Sequence, residues 1–473
     1  MTVERIGIAG AGTMGAGIAQ LACLGGFDSY LHDADPEALA AGEERFRSAL
    51  LKGADHGRWS RAEADAASAR LRTARDLDGL ASCQLVIEAA PEDLDLKRGL
   101  FARLADACGP GAVLATNTSS LRIGAIADGV EGPERVCGMH FFNPPPLMPL
   151  VEVVAGERTS ADTLATATEV AERMGRRPIR AADGPGFAAN RCMRPFTLEA
   201  LQLVGERIAP PAIVDRVVRL GGGYPMGPFE LIDLIGVDVN LEVARSLYEQ
   251  SSGNPRWRPH PLQARLVADG RLGRKSARGF YAYGDEPYRP QDPEPPDPDP
   301  VAAPPAASAA PRVVTPGGSA ARPLEGGSLA AVAPGEDTAG YLALPTLAEA
   351  RLVELTRAEG TSDAAAADVE AYFRGLGRHV QWVGDTPGLI LGRIVAQLVN
   401  EACFAVSEGI GTPDDIDAAM RLGFNHPRGP FEWAEAIGPA RVLAILEALG
   451  RELGHERYDV APFLRRWVGD RAA

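Results

Sequence analysis

The chain is 473 residues long, is 45% hydrophobic and carries a formal net charge of −15 at pH 7. This length predicts about three domains. The negative charge, with no basic stripe to offset it, argues against a nucleic-acid partner. No apolar run reaches the roughly eighteen residues of a membrane span. The chain enters a predicted strand at Arg5, so we expect no signal peptide and a cytoplasmic location. Its six cysteines lack metal-site spacing, so we also expect reduced thiols and no metal.

The first predicted strand, residues 5–9, runs into a glycine-rich turn and the start of a helix. A second strand ends at Asp33, 23 residues beyond Gly10. A dinucleotide-binding fold places the acid that binds the ribose hydroxyls at about this distance. Because such an acid repels a 2′-phosphate, the pattern predicts a Rossmann domain that binds NAD rather than NADP. The cofactor-binding candidates at the turn are Gly10, Gly12, Thr13, Met14 and Gly15.

Residues 36–75 read as two helices, and two strands with polar loops follow them. The first of these strands leads to Glu92, and the next leads to Asn117 and Ser119. Ligands bind at the carboxyl ends of strands in open α/β sheets, which makes both loops candidate site segments. Ser119 also suits the start of the next helix, as a cap.

An apolar strand then carries His140, turns through three prolines and resumes as a strand that holds Glu152. An ionised glutamate in a run of valines and leucines is costly unless it is paired, and His140 is the obvious partner. A carboxylate on one ring nitrogen fixes the tautomer and leaves the other nitrogen as a base. On this stretch alone, a buried pair that only satisfies its own hydrogen bonds is an equal alternative.

A repeat organises the rest of the chain. A shift of 202 residues superposes Asp183 on Asp385, and the same register carries through the helical region that follows each of them. One polar position differs, since Asn190 is replaced by Gly392. A segment rich in proline, alanine and glycine separates the copies and predicts a semi-rigid linker. The predicted domains are a Rossmann domain (1–184), a helical domain (185–284), the linker (285–339), a small connecting α/β segment (340–385) and a second helical copy (386–473).

These motifs, in this order, resemble the L-3-hydroxyacyl-CoA dehydrogenases over roughly residues 3–284, and the tail resembles the family's tail again over 340–470. The doubled tail is similar to the long bacterial members, which include 3-hydroxybutyryl-CoA and 3-hydroxyadipyl-CoA dehydrogenases. The resemblance implies a Rossmann-type α/β domain followed by an all-α domain. It also implies NAD-dependent, reversible oxidation of an L-3-hydroxyacyl-CoA to the 3-oxoacyl-CoA, in fatty-acid, butanoate or phenylacetate-type catabolism.

The resemblance also implies a role for each site residue. His140 is the general base and Glu152 orients it, while Ser119 and Asn190 bracket the substrate oxygen. Pro149 stands where the family often has lysine. The remaining implied contacts are Asn143 in the substrate pocket, Glu92, Lys97 and Asn117 on the cofactor, and Lys52 on the helical hairpin that clamps coenzyme A.

Two other functions compete with this interpretation. A related Rossmann dehydrogenase acting on a sugar acid would place a histidine and a glutamate in similar strands, and a catalytically silent protein could bind NAD or CoA with the same fold. We expect the second copy to be structural, because it lacks the ligand-facing asparagine. It would form an intrachain pseudo-dimer with the first copy, with a homodimer as the alternative.

Overall fold

The computed structural model describes residues 2–299, 313–454 and 456–472. Its contacts divide the chain into two compact units. The first unit contains Met1–Asn190 together with Gly409–Phe424, and the second contains Arg191–Glu408 and Asn425–Ala473. A short segment of the second helical copy is therefore built into the unit that holds the predicted cofactor domain. Within the described ranges, no helix has the length and apolar character needed to cross a membrane.

The first unit is built on an eight-stranded sheet in the order β3-β2-β1-β4-β5-β6-β7-β8. All neighbours are parallel except β6 and β7, which are antiparallel. The chain passes from β1 to β2 on one side and back to β4 on the other, so a topological switch point lies beside β1. The strands are β1 (Arg5–Ala9), β2 (Asp28–His32), β3 (Leu71–Ala74), β4 (Leu85–Glu88), β5 (Val113–Thr116), β6 (Val136–Phe141), β7 (Leu150–Ala155) and β8 (Arg177–Ala182).

Helices connect these strands, and their starts follow local sequence signals. The two helices predicted in residues 36–75 are present, and β3 is an additional strand within that range. Asp35 caps the first helix, and Ser60 and Glu63 form a capping box at the second. The helices of this part are α1 (Thr13–Leu24), α2 (Pro36–Asp55), α3 (Arg61–Ser68), α4 (Leu94–Ala107), α5 (Ile123–Ile126) and α6 (Ala161–Arg173).

The second unit is mainly helical and contains most of both helical copies. Its first-copy helices are α7 (Ala189–Gly205, which begins in the first unit), α8 (Pro211–Gly222), α9 (Pro228–Ile235), α10 (Val237–Gln250) and α11 (Pro261–Ala268). The second-copy helices are α14 (Leu391–Ser407), α16 (Pro430–Ile437), α17 (Pro439–Leu453) and α18 (Pro462–Ala472). The matching α15 (Pro413–Ala418) and the π-helical turn Ala419–Gly423 lie in the first unit.

Two buried ion pairs join the copies within the second unit. Arg191 Nε lies 2.7 Å from Glu401 Oε1, and Arg393 bonds to Glu199. The 202-residue shift converts one pair into the other, because it takes Arg191 to Arg393 and Glu199 to Glu401. All four side chains are at most 2% exposed.

The structure corrects the end of the predicted linker. Strands lie in residues 313–314, 320–323 and 338–342, inside the range 285–339 predicted to lack a fold. The composition of this range matched a linker because its strands are short and contain several alanines. The packing is that of a sheet, since β-pairing joins residues 320–323 to 338–341 and both Ala321 and Ala339 are fully buried. Residues 300–312 of the predicted linker lie outside the described residues.

The corresponding sheet of the second unit has five strands in the order β13-β12-β11-β10-β9. It includes most of the segment predicted as a small connector, and β11 and β12 are antiparallel as β6 and β7 are. The structural repeat therefore begins upstream of the helical domains and includes part of the Rossmann sheet. Its elements are β9 (Val313–Val314), β10 (Ala320–Pro323), α12 (Leu329–Val332), β11 (Thr338–Leu342), β12 (Leu352–Thr356), α13 (Asp363–Gly375) and β13 (His379–Trp382).

Candidate active site

The glycine turn after β1 has the form of a dinucleotide cradle. Gly10 has φ of +114°, and a Cβ there would lie 2.5 Å from the Ala89 carbonyl oxygen. A Cβ on Gly15 would lie 1.8 Å from the Gly10 carbonyl oxygen, so neither position accepts another residue. A Cβ on Gly12 would meet open space, which leaves room for a ligand to approach the backbone. Helix α1 begins at Thr13, and the N–H groups of its first turn suit a pyrophosphate.

Asp33 lies beside this turn at the end of β2. Its Oδ2 accepts a 2.8 Å hydrogen bond from the N–H of Ala11, which fixes the carboxylate next to the glycines. A cleft of about 1030 Å³ opens here, lined among others by Gly12, Asp33, Arg45, Ala90 and Leu96. Its size, its helix N-terminus and the acid at the end of β2 fit NAD.

Lys97 is buried at the ends of β4 and β5. Its Nζ lies 2.5 Å from Glu88 Oε1 and 3.4 Å from Glu92 Oε2. Glu88 is fully buried and also accepts a hydrogen bond from the Thr116 hydroxyl. Sequence reasoning gave Glu88 no role, although a glutamate at the end of a buried strand required a partner such as Lys97. The contact of Lys97 with the cofactor stays a prediction.

Glu92 orders the loop that carries Ser119. Its Oε1 accepts hydrogen bonds from the Thr118 hydroxyl at 2.6 Å and from the backbone N–H groups of Ser119 and Ser120. Burial raises the pKa of Glu92, but the Thr118 hydrogen bond and the charge of Lys97 outweigh it and hold this pKa below its usual value. The carboxylate is therefore ionised, and its hydrogen bonds fix the conformation of residues 118–120.

Ser119 does not cap the next helix. The N–H groups of Ile123 and Gly124, at the start of α5, bond instead to the Asp183 carboxylate, each at 3.0 Å. The Ser119 side chain is thus left for another role, and Asn190 Nδ2 lies 3.4 Å from the Ser119 carbonyl oxygen. Asn117 Oδ1 accepts a 2.8 Å hydrogen bond from the N–H of Phe141 and so joins this loop to β6.

His140 and Glu152 are paired as their strands predict. They lie directly opposite one another on the antiparallel strands β6 and β7, and His140 Nδ1 is 2.7 Å from Glu152 Oε2. His140 is 6% exposed and Glu152 is fully buried. Glu152 Oε1 also accepts the N–H groups of Ala188 and Ala189, at the start of the helix that carries Asn190. Because the carboxylate engages Nδ1, Nε2 is the ring nitrogen left to accept a proton.

The structure thus brings His140, Glu152, Ser119 and Asn190 into one unit with the glycine turn. Asn143 is exposed in the loop that follows β6. Lys52 is exposed in the last turn of α2, and its contact with coenzyme A stays a prediction. In the described parts of the chain, no group of three or more His, Cys, Asp or Glu side chains is arranged to hold a metal ion.

Aromatic rings pack beside His140. The ring centroid of Phe142 lies 4.6 Å from that of His140, and Phe187 lies at 6.1 Å. Phe424 packs edge-to-face on Phe142 with centroids 5.8 Å apart. Sequence reasoning gave none of these rings a role. Phe142 and Phe187 stand within recognisable motifs, but no local pattern links Phe424 to a histidine so far away in the chain.

The second copy retains the glutamate but not the histidine. Leu342 lies opposite Glu354, as His140 lies opposite Glu152. Glu354 accepts hydrogen bonds from the N–H groups of Ile390 at 2.8 Å and Leu391 at 3.1 Å, which repeats the contacts of Glu152 with the helix start. Burial raises the pKa of Glu354 to about 8. This carboxyl group therefore holds a helix start even where there is no histidine to orient.

Comparisons with known proteins agree with this arrangement. The family described as 3-hydroxyacyl-CoA dehydrogenase, NAD binding domain, matches residues 5–184, and the C-terminal domain of the same name matches residues 186–283 and 388–472. The chain is 36% identical to the 3-hydroxyadipyl-CoA dehydrogenase of Escherichia coli K12 over 474 residues, 98% of each chain. It is 42% identical to a probable 3-hydroxybutyryl-CoA dehydrogenase of Deinococcus radiodurans, across 59% of this chain and 100% of that one.

A solved structure covers both copies. The crystal structure of a 3-hydroxybutyryl-CoA dehydrogenase from Escherichia coli K12 superposes with a TM-score of 0.93 at 35% identity, covering 100% of this chain and 99% of that one. The duplicated architecture is therefore shared along the whole chain.

Proposed function

Because this chain belongs to the 3-hydroxyacyl-CoA dehydrogenase family, we propose that it oxidises L-3-hydroxyacyl-CoA to 3-oxoacyl-CoA with NAD. The observation that carries the proposal is the buried pair His140–Glu152, in the same unit as the glycine turn and Asp33. A buried hydrogen-bonded pair by itself is compatible with a structural role. Beside Asn190, the ordered Ser119 loop and a dinucleotide cradle, it supplies the base that alcohol oxidation requires.

The reaction removes a proton from the 3-hydroxyl group and a hydride from C3. NAD, when bound, accepts the hydride. His140 Nε2 takes the proton, while Glu152 holds Nδ1 and stabilises the imidazolium that forms. General-base catalysis of this kind contributes typically ~10²–10⁴-fold in rate.

Hydrogen-bond donors near the base stabilise the substrate oxygen. The Ser119 hydroxyl and the Asn190 amide suit the negative charge that develops on this oxygen as the proton leaves. Glu92 fixes the Ser119 loop, and Glu152 fixes the helix start next to Asn190, so both donors are held in place before substrate binds. Asn143 completes the proposed substrate pocket. The proposed cofactor contacts are Gly10, Gly12, Thr13, Met14, Gly15, Asp33, Glu92, Lys97 and Asn117.

The acyl chain is the finer question. The similar proteins carry the names of 3-hydroxybutyryl-CoA and 3-hydroxyadipyl-CoA dehydrogenases. The acyl tail of the first thioester ends in a methyl group, and that of the second ends in a carboxylate. We take these two thioesters as the candidate substrates. The test is NADH formation by the purified full chain with each of them, and with a sugar acid as the competing substrate. Turnover of the sugar acid alone, or binding of NAD without turnover of either thioester, would overturn the proposal.

We also propose that the two helical copies form an intrachain pseudo-dimer. In a twofold interface, residue i contacts residue j and residue j contacts residue i. The pairs Arg191–Glu401 and Arg393–Glu199 obey this relation under the 202-residue shift, which supports the proposal. A homodimer remains the alternative, and sedimentation of the full chain separates the two. The cytoplasmic location stays a prediction.

A further inference from the structure

A segment of the second copy, Gly409–Phe424, belongs to the unit that holds His140. It is anchored at its start, where the Ile410 carbonyl oxygen accepts a 2.8 Å hydrogen bond from the N–H of Ala182, at the end of β8. Ile410 also packs against Gly184, since a Cβ added to Gly184 would lie 2.7 Å from Ile410 Cδ1. This part of the second copy is therefore an integral part of the catalytic unit.

The segment ends against the loop that follows the catalytic base. Its last turn, Ala419–Gly423, is π-helical, a form that is frequent at functional sites. A Cβ on Gly423 would lie 2.9 Å from Leu150 Cδ2 and 3.2 Å from Phe142 Cε1, so the turn is pressed tightly onto β7. The next residue, Phe424, is half-buried and packs its ring on Phe142.

We propose that Phe424 is a specificity-determining residue for the acyl chain. This rests on the proposed function and deepens it. The base must reach the hydroxyl group on C3, so the carbons that follow C3 lie within a few ångströms of His140. The Phe142 ring packs against both the His140 ring and the Phe424 ring. Together the two rings form an apolar wall that receives the acyl tail and limits its length.

The first copy supplies an internal comparison. The 202-residue shift takes Gly221 to Gly423, and a Cβ on Gly221 would lie 3.7 Å from Leu352 Cδ2, as Gly423 meets Leu150. The packing of the turn is thus repeated. Phe424, however, corresponds to Gly222, and the β-strand that this turn faces belongs to the sheet with Leu342 in place of the catalytic histidine. At the aligned position the space is filled differently, because the Tyr224 ring lies 2.7 Å from where a Cβ of Gly222 would be. A phenylalanine side chain at this position is therefore specific to the turn that packs beside His140.

The test compares acyl chain lengths in the full-length protein. We would measure kcat/KM for 3-hydroxybutyryl-CoA, 3-hydroxyhexanoyl-CoA and 3-hydroxyoctanoyl-CoA in the unaltered protein, in Phe424→Ala and in Phe424→Leu. Removing the ring opens space beside the tail, so Phe424→Ala should favour the longer substrate. The ratio of kcat/KM for the octanoyl thioester to kcat/KM for the butyryl thioester should rise by about tenfold or more, which is the scale of discrimination by apolar pockets. Phe424→Leu should give an intermediate shift, and the KM for NAD should not change.

Phe463→Ala is the matched control. Phe463 is also a half-buried phenylalanine of the second copy, but it packs on Phe431 and Trp467 in the second unit. It should leave the chain-length ratio unchanged. If the unaltered protein is active and both Phe424 variants keep its ratio within about twofold, the inference is wrong. If the unaltered protein turns over 3-hydroxyadipyl-CoA but none of these three thioesters, an apolar wall does not receive the tail and the inference is wrong. If it turns over neither these three thioesters nor 3-hydroxyadipyl-CoA, the proposed function itself fails.

Discussion

At the scale of single residues, one carboxylate serves two purposes. Glu152 contacts His140 through one oxygen and accepts hydrogen bonds from the start of α7 through the other. Glu354 shows the second purpose alone, because Leu342 stands opposite it. The contacts with a helix start account for a glutamate in both copies, and the histidine is present only at the proposed catalytic site.

The base gives the most direct prediction. His140→Gln removes the group proposed to accept the hydroxyl proton but leaves the glycine turn and Asp33 intact. We expect normal NAD binding, measured by calorimetry, and a loss of at least about a hundredfold in turnover. Turnover within a few-fold of the unaltered protein would eliminate His140 as the base.

The two glutamates form a matched pair of variants. Glu152→Gln should slow turnover and shift its pH profile, because a neutral amide does not stabilise the imidazolium. Glu354→Gln changes the corresponding position of a site that lacks a base, so its activity and pH profile should match those of the unaltered protein. Equal losses in the two variants would mean that both glutamates act only through the helix starts.

Glu354 also predicts a pH dependence of stability. Its pKa is about 8 in the folded protein against a reference value of 4.5, so folding favours the protonated form. The stabilisation from this proton is complete below the reference pKa and is lost as pH rises through about 8. The melting temperature of Glu354→Gln should therefore fall less than that of the unaltered protein between about pH 5 and pH 8. Parallel curves would contradict this.

At the scale of elements, the glycine turn and the end of β2 act together. Asp33 is fixed beside the turn by the N–H of Ala11, where it would meet the 2′-phosphate of NADP. We expect a kcat/KM for NADP far below that for NAD. Asp33→Ala should reduce the difference between these two kcat/KM values. A native protein that used both cofactors equally well would show that Asp33 does not face the ribose.

The elements that were predictable share a physical signal. The first strand and its turn were readable because glycines are required where a Cβ would strike backbone, and the His140–Glu152 pair because a buried charge needs a partner. The strands at 313–323 were missed because alanine, proline and glycine predict a linker by composition, whereas burial depends on neighbours that are remote in sequence. The contact of Phe424 with Phe142 was missed for the same reason.

At the scale of the whole molecule, the second copy contributes to the unit that holds the base. A chain ending near Gly284 would keep every proposed catalytic residue but would lose the segment Gly409–Phe424 and the partners of Arg191 and Glu199. The truncation removes both ion pairs and exposes the face that the second copy buries. The truncated chain should dimerise, aggregate or melt at a lower temperature, and any soluble fraction should still turn over substrate. A stable, fully active monomer on sedimentation would show that the second copy is dispensable.

The difference between Phe424 and Gly222 has a consequence for evolution. In a homodimer encoded by one gene, each substitution appears in both subunits, so a bulky side chain that improves one active site is imposed on every equivalent position. A tandem duplication removes that restriction, because the two positions mutate independently. One copy here has kept His140 and Asn190, while the other has Leu342 and Gly392 at the equivalent positions and contributes Phe424 beside the retained site. On the proposal for Phe424, a residue of the second copy shapes the active site of the first without a matching change in the first copy.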